Sequence, residues 1–389
     1  MDVLQSPVAE RIVQRAHELR DEVVAELIGI AQVPAPTFHE ERRALHVLER
    51  MRAAGLVDLE IDAVGNVVGR LPGQSREARP RILVAAHLDT VFPMETDVTV
   101  RFEGDLLRGP GVGDNAAGVA VLLWAPRLLR EVAGTLPADV LVAGTVGEEG
   151  LGNLRGMRAL MERFGDQVDA VIALDGSLGG LVRQGVGSRR LRIQVETEGG
   201  HSWGAFGNPS AIHVLCRIVS RITEIPVPKD PKTTYNVGLI EGGTAVNAIA
   251  AHAAAVIDLR SVDGASLSRL EARVREIAAR QAAQAGATVH ISVVGDRPVG
   301  SIPEDHPLCR AVMRAHERLG IQTRIYPSST DANIPLAGSI PAVTIGVTLG
   351  GNGHRLDEYI QIPPLSTGLA QVALVLLALQ GAPLSAPVR

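Results

Sequence analysis

The chain has little cysteine: two residues in 389, Cys216 and Cys309, which form no disulfide framework and read as inert core thiols. It also lacks any apolar run long enough to cross a bilayer. The best candidate, Ala370 to Leu379, falls well short of the ~20 residues a span needs and reads as a buried core helix. The start, Met1-Asp2-Val3-Leu4-Gln5, has neither a basic n-region nor an apolar h-region, which argues against secretion. Net charge is −5 with no basic patch or long charge run, so neither nucleic acid nor a membrane surface is suggested as a partner. Internal repeats and low-complexity tracts are absent too. These absences point to a soluble cytoplasmic protein. Its 46% hydrophobic content over this length allows a large core divided into two or more domains.

What is present is organised around Leu107-Arg108-Gly109-Pro110-Gly111-Val112-Gly113-Asp114-Asn115-Ala116-Ala117-Gly118. Glycines allow a tight loop and helix formers follow, so Asp114 is expected where the loop enters a helix. There it could cap the helix and stay ionised at the positive end of the dipole. The spacing Gly111-x-Gly113-x-x-Ala116 also fits a loose dinucleotide fingerprint, the mark of a nicotinamide-dependent oxidoreductase. Against that, the preceding residues 100–105 are polar and broken by glycine, and Asp114 would repel a phosphate. A metal-binding aspartate is the third option, and the company Asp114 keeps must decide.

Residues 8–34 and 38–54 carry helical periodicity, interrupted at Pro34-Ala35-Pro36, and short β-rich runs follow at 59–64 and 66–70. Pro80 to Ala86 reads as a strand buried on both faces, as in a parallel sheet covered by helices, and its end carries His87-Leu88-Asp89. Positions i and i+2 of a strand share a face, so His87 and Asp89 can emerge together where open α/β sheets place their ligands. After the Asp114 loop comes a helix to about residue 131. A second buried strand, 139–146, then ends in Gly147-Glu148-Glu149-Gly150, and a third, 169–174, ends in Asp175-Gly176. An exposed charged turn is the bland reading of the glutamate pair.

From Ser188 the pattern changes to half-exposed strands and amphipathic helices: a strand at 190–196, a helix at 209–222, strands at 235–240 and 253–259, a helix at 266–284 and a strand at 289–294. Beyond Pro298 the helix–strand alternation resumes, reaching Ser329-Thr330-Asp331 and Gly353-His354-Arg355-Leu356-Asp357-Glu358. The expected architecture is therefore an α/β domain, 1–188 and 297–389, with a mostly parallel sheet covered by helices, interrupted by an inserted α+β domain, 189–296.

Zinc takes imidazole nitrogen and carboxylate oxygen, and two-metal hydrolytic sites need a bridging ligand and several terminal ones. His87, Asp114, Glu149, Asp175 and His354 supply such a set. Three carboxylates and one hydroxide balance the charge of two zinc ions, leaving Glu148 available as a base. The other histidines, His17, His39, His46, His213, His252, His290, His306 and His316, have no such context and read as structural or surface residues.

His87-x-Asp89, Gly113-Asp114-Asn115-Ala116-Ala117-Gly118, Glu148-Glu149-Gly150, Asp175 and the late His354, in that order, resemble the co-catalytic zinc exopeptidases that include aminoacylase, bacterial glutamate carboxypeptidase, tripeptidase and succinyl-diaminopimelate desuccinylase. The resemblance covers nearly the whole chain. It implies two Zn²⁺, with Co²⁺ or Mn²⁺ as possible substitutes. Asp114 would bridge, His87 and Asp175 would hold one ion, and Glu149 and His354 the other. Asp89 would hold the His87 tautomer, and Glu148 would take a proton from a metal-bridging water and return it to the leaving amine. A cis peptide between Asp114 and Asn115 is implied as well.

In the insertion, Gly199-Gly200-His201-Ser202 resembles the motif whose histidine stabilises the oxyanion. Gly242-Gly243-Thr244-Ala245-Val246-Asn247 and Asp258-Leu259-Arg260 resemble the segments that grip a substrate carboxylate, through Gly243, Asn247 and Arg260. The implied substrate is a small peptide or N-acyl amino acid with a free carboxylate. The implied assembly is a homodimer formed through the insertion, which serves as lid and dimerisation domain and lends His201 to the partner's site. Two departures stand out: Trp203 where many relatives carry glycine, and Gly147 where an aspartate is frequent. A non-catalytic small-molecule or metal-binding protein on the same fold is the alternative reading.

Overall fold

The computed structural model describes residues 3–75, 77–79, 81–380 and 384. It divides into two compact units, Met1–Gly185 with Gly300–Arg389, and Val186–Val299. The second unit is wider than the expected 189–296 because its sheet extends further: Gly187 pairs with Ser261, and Arg297 with Ser188.

The first unit opens with α1 (Pro7–Glu18), α2 (Arg20–Ala31) and α3 (Glu41–Ala53). Ser6 caps α1 by accepting the Ala9 amide, with Pro7 at the first helical position. The expected single helix over 8–34 breaks at Leu19, where ψ is 4°, and the apolar stripes of both halves reach one core cluster. Strands β1 (Val57–Ile61), β2 (Val67–Leu71) and β3 (Ile82–His87) follow, β3 buried throughout. Pro80, expected at the start of β3, lies outside the described residues. Next come α4 (Gly118–Ala133), β4 (Val140–Thr145), α5 (Arg155–Phe164), β5 (Ala170–Leu174) and β6 (Gly180–Val182).

The second unit contributes β7 (Gly187–Glu196), β8 (Gly200–His201), α6 (Ala211–Ile222), β9 (Thr233–Gly242), β10 (Ala248–Ile249), β11 (His252–Ser261), α7 (Gly264–Gln284) and β12 (Thr288–Arg297). The chain then returns to the first unit with α8 (Pro307–Leu319), β13 (Arg324–Ile325), β14 (Ala342–Ile345) and α9 (Pro363–Leu379).

In the first unit the sheet runs β1-β2-β4-β3-β5-β14-β6-β13. Its four central strands, β4, β3, β5 and β14, are parallel, with antiparallel pairs on either side. Helices cover it, so strands such as Ile82-Leu83-Val84 and Val171-Ile172-Ala173 read as continuous apolar runs instead of alternating. Each large aliphatic side chain buried this way stabilises the fold by about 1.5–3 kcal/mol. Helix α9 is buried along nearly its whole length, and no helix among the described residues is long and apolar enough to cross a membrane.

The second unit is a four-stranded antiparallel sheet, β9-β11-β7-β12, packed on α6 and α7. Leu191, Ile193 and Val195 of β7 alternate inward against Val214 and Ile218 of α6 and Val274 of α7, the period-2 pattern of a half-covered strand. Cys309 is buried in the first unit, where burial pushes its thiol up to about 12, but Cys216 is exposed on α6 and is not the core thiol expected.

Candidate metal centre

Parallel strands with ordered crossovers bring their carboxyl ends to one edge, and the charged residues collect there. His87 ends β3, the Glu148-Glu149 pair follows β4, and Asp175 follows β5. The Leu88 amide donates to the Thr145 carbonyl at 2.7 Å, fastening the β3 exit to the end of β4. Asp114 does not cap a helix. It lies in the turn Val112–Ala117, with non-helical φ −115° and ψ 87°, and the Asp114–Asn115 peptide is cis, as the resemblance implies. The Asn115 side chain donates to the Leu174 carbonyl at 2.7 Å. A Cβ on Gly118 would sit 2.1 Å from the Asn115 Oδ1, so only glycine lets α4 start so close to β5.

The two oxygens of Asp114 face two different imidazoles: Oδ1 lies 3.0 Å from His87 Nε2, and Oδ2 lies 3.0 Å from His354 Nε2. His354 Nε2 also meets Glu149 Oε1 at 2.9 Å. Two groups of ligand atoms, His87/Asp114/Asp175 and Asp114/Glu149/His354, therefore share Asp114, each within 4.8 Å internally. Tetrahedral zinc with ligands at about 2 Å leaves edges of roughly 3.3 Å between donor atoms, which such contacts approach. The donor set thus fits two ions with a common carboxylate. A third group, His87/Glu148/Glu149, brings Glu148 to the same edge but does not include Asp114. Glu148 and Glu149 are both buried, which excludes the exposed charged turn.

Asp89 adjoins His87 through both its main chain and its carboxylate. His87 Nδ1 lies 3.1 Å from the main-chain carbonyl of Asp89, while the nearest carboxylate oxygen is 3.6 Å away, beyond hydrogen-bond distance. The backbone therefore fixes the tautomer and leaves Nε2 facing Asp114. The fully buried carboxylate of Asp89 also accepts the amides of Glu148 at 3.0 Å and Glu149 at 2.9 Å, and the Thr37 hydroxyl at 2.8 Å. It sets the path of the glutamate pair.

The electrostatics show a cluster short of positive charge. Burial opposes the Asp114 charge, but hydrogen bonds with His354 and His87 outweigh it and hold the carboxyl below the usual range. Burial likewise lowers His87, yet Asp114 and Asp89 beside it raise its pKa well above normal. His354 is raised to about 9, chiefly by its bond to Asp114. Burial, then the Asp114 charge, pushes Asp175 up to about 7, and burial raises Glu149. In the metal-free protein, protons thus occupy positions where divalent cations would be held more strongly.

Several residues at this edge escaped the sequence reading. Glu40, buried and paired with Arg155 at 2.7 Å, accepts the Gly147 amide at 3.0 Å. A Cβ on Gly147, whose φ is +66°, would meet Arg155 Cγ at 2.8 Å, so Arg155 occupies the room an aspartate would need. Buried Arg43 donates to the carbonyls of Val33 and Leu88, tying α3 to the β3 exit. Glu358, also buried, accepts three amides of the Asp114 loop. Only Glu358 had a signal, its place in the same glycine-led turn as His354; the others come from the separate segment 31–43 or from α5, with nothing local to mark them. His306 and His316 are structural, as expected: one accepts the Leu308 amide at the start of α8, and the other is bonded to Thr323 and Gln371.

In the second unit, His201 and Asn247 are neighbours. Strands β8 and β10 pair His201 with Ala248, and the Ser202 amide donates to the Asn247 carbonyl at 3.0 Å. His201 Nδ1 accepts the amides of Trp203 and Gly204 at 3.2 and 3.3 Å, so the ring proton sits on Nε2, which becomes an outward donor. Trp203 itself is 88% exposed. Gly243, with φ +76°, turns the loop that follows β9, and Arg260 on β11 is braced by Asp258 at 2.6 Å.

Residues 83–378 match the model of peptidase family M20/M25/M40. Carboxypeptidase G2 of Pseudomonas sp. (strain RS-16) is 26% identical over 348 residues, covering 85% of this chain and 79% of that protein. Acetylornithine deacetylase of Klebsiella pneumoniae (strain 342) is 26% identical over 313 residues, 75% of this chain and 79% of its own. Among solved structures, a tripeptidase from Staphylococcus aureus superposes with a TM-score of 0.78, covering 92% of this chain and 98% of that one at 22% identity, which establishes a shared fold.

Proposed function

Since the chain belongs to peptidase family M20/M25/M40 and is a metallohydrolase of peptide or amide bonds, we propose that it holds two Zn²⁺ and cleaves small substrates that carry a free carboxylate, either di- or tripeptides or N-acyl amino acids. The observation that carries this reading is the pair of Asp114 oxygens, each facing its own histidine at 3.0 Å. His87, Asp114 and Asp175 would hold one ion, and Asp114, Glu149 and His354 the other, with Co²⁺ or Mn²⁺ as substitutes. When bound, the ions would activate water and polarise the scissile carbonyl.

The remaining work falls to the chain's own residues. Glu148, adjoining His87 and Glu149 but outside the groups that contain Asp114, would take the proton of the attacking water and pass it to the leaving amine. His201, with its proton on Nε2, would donate to the developing oxyanion. Arg260, with Asn247 and Gly243, would take the substrate carboxylate, a task the planar guanidinium suits. A homodimer formed through Val186–Val299, each subunit lending His201 to the other, and a cytoplasmic location complete the proposal.

The test loads metal-free protein with zinc and screens dipeptides, tripeptides and N-acetyl amino acids. Turnover by wild type with two zinc per chain is expected. Glu148→Gln should keep both ions while kcat falls about 10²–10⁴-fold, the range for losing a general base. Glu149→Gln should instead weaken one ion, and a Glu148→Gln that empties a metal site while Glu149→Gln leaves both filled would reverse the roles of the pair. A protein that binds both ions yet cleaves nothing in the panel would return the non-catalytic reading.

A further inference from the structure

The turn that carries His354 does a second thing four residues later. Glu358 is 2% exposed, and its carboxylate points at the loop that presents Asp114. Oε1 accepts the amides of Gly113 at 2.7 Å and Asp114 at 2.8 Å, and Oε2 accepts that of Gly111 at 3.0 Å. The main chain adds another tie, the Gly109 amide donating to the Glu358 carbonyl at 3.0 Å. The turn itself is closed by the Arg355 amide on Asn352 and the Glu358 amide on Arg355, both at 3.1 Å, and His354 sits within it at φ +66°. One short segment therefore grips Asp114 twice: His354 meets its carboxylate, and Glu358 holds its backbone.

A buried carboxylate close to a second carboxylate is costly, and amides rather than a cation satisfy this one. That arrangement is suited to fixing the backbone of a turn in which Asp114 has non-helical dihedrals and whose other ties include the Asn115 side chain on the Leu174 carbonyl and the Ala116 amide on the Gly111 carbonyl. Resting on the two-ion reading above, we propose that Glu358 is the positioning residue of the shared carboxylate. It locks the Gly111–Asp114 backbone so that the two Asp114 oxygens stay aimed at His87 and His354, and with them at both ions. Glu358 itself ligates neither.

Glu358→Gln tests this, because the variant has the same size but presents an NH₂ group where an amide N–H must be accepted. Metal-free wild type and variant are titrated with Co²⁺, following affinity, stoichiometry and the visible absorption of the ion. The expected result is two ions in wild type, with the variant about 10–100-fold weaker for both and its absorption bands shifted, because both ions depend on Asp114. A folded variant that matches wild type in affinity and absorption overturns the role of Glu358 while the two-ion reading stands. A wild type that binds no Co²⁺ overturns that reading and this inference with it. Should Glu358→Gln not fold, Gly113→Ala serves instead: its Cβ would lie 3.0 Å from Glu358 Oε1 and 3.2 Å from Ile360 Cγ2, pushing the carboxylate off its amides, and it should weaken Co²⁺ in the same way. Unchanged affinity in a folded Gly113→Ala would overturn the inference too.

Discussion

The two units hold their candidate residues by opposite means. In the first, the grouped side chains come from segments far apart in sequence and are fixed by long-range bonds: His354 reaches Asp114 across 240 residues and Glu149 across 205, and the amides of Glu148 and Glu149 rest on Asp89. In the second, His201 on the short strand β8, and Gly243 and Asn247 beside it in loops, are exposed and held by neighbouring main chain. The difference follows from the chemistry each set would do. A pair of cations must be met by several charges at fixed distances, so His87, Glu149 and Asp175 stand at strand ends and Asp114 and His354 in turns tied to them. Groups that meet a substrate need reach, and are better placed where the backbone can adjust.

This contrast can be broken by experiment, and after loss of the Glu148 base the largest effect is expected from His201 on the exposed side. His201→Ala should cost about 10²–10³-fold in kcat, as loss of an oxyanion donor does, while zinc content and melting temperature stay at wild-type values. If the donor acts across a dimer, mixing His201→Ala with Glu148→Gln and allowing subunits to exchange should restore about a quarter of wild-type activity, since random exchange leaves half the molecules with one good site of two. No recovery despite shown exchange and retained zinc would mean that His201 acts within its own chain. A loss of zinc in His201→Ala would erase the distinction between the units.

Asp89→Asn probes the rigid side and should behave in the reverse way. Its amide would face two N–H donors in a fully buried position, so zinc affinity should fall about 10–100-fold and the fold should lose about 1–3 kcal/mol. Chemical denaturation and zinc competition measure both. Unchanged zinc affinity with lowered stability would make Asp89 a purely structural anchor.

Taken over a single pH unit, the smallest effect is the pH dependence of metal binding. In the metal-free protein His354 is raised to about 9, His87 lies well above its ordinary value and Asp175 is raised to about 7, so near neutral pH both histidines hold protons, and Asp175 part of one, that incoming ions must displace. Metal affinity should therefore rise with pH, by about tenfold per unit for each proton displaced, and level off only once both histidines have lost their protons. Calorimetry in two buffers of different ionisation enthalpy reads the protons directly. Affinity that is flat between pH 6 and 9 would contradict the protonation of this cluster.

Much of the molecule is legible without coordinates. Apolar runs of five or six residues ending in His87, Glu148-Glu149 and Asp175 announce parallel strands whose carboxyl ends carry chemistry, because burial on both faces demands continuous hydrophobicity and charge survives only at the exit. The alternation in β7 marks the inserted sheet for the same kind of reason. What only the tertiary structure decided is where each polar group points. Asp114 has the sequence of a helix cap and becomes the shared partner of two histidines, since the turn at 112–117 rotates its side chain toward them. Asp89 sits two residues from His87, and its carboxylate also holds the amides of the Glu148-Glu149 loop. Glu40, Arg43 and Glu358 each reach a partner at this edge that lies 107, 45 and 247 positions away respectively, and periodicity reports on a residue's own strand or helix, not on what the fold brings against it.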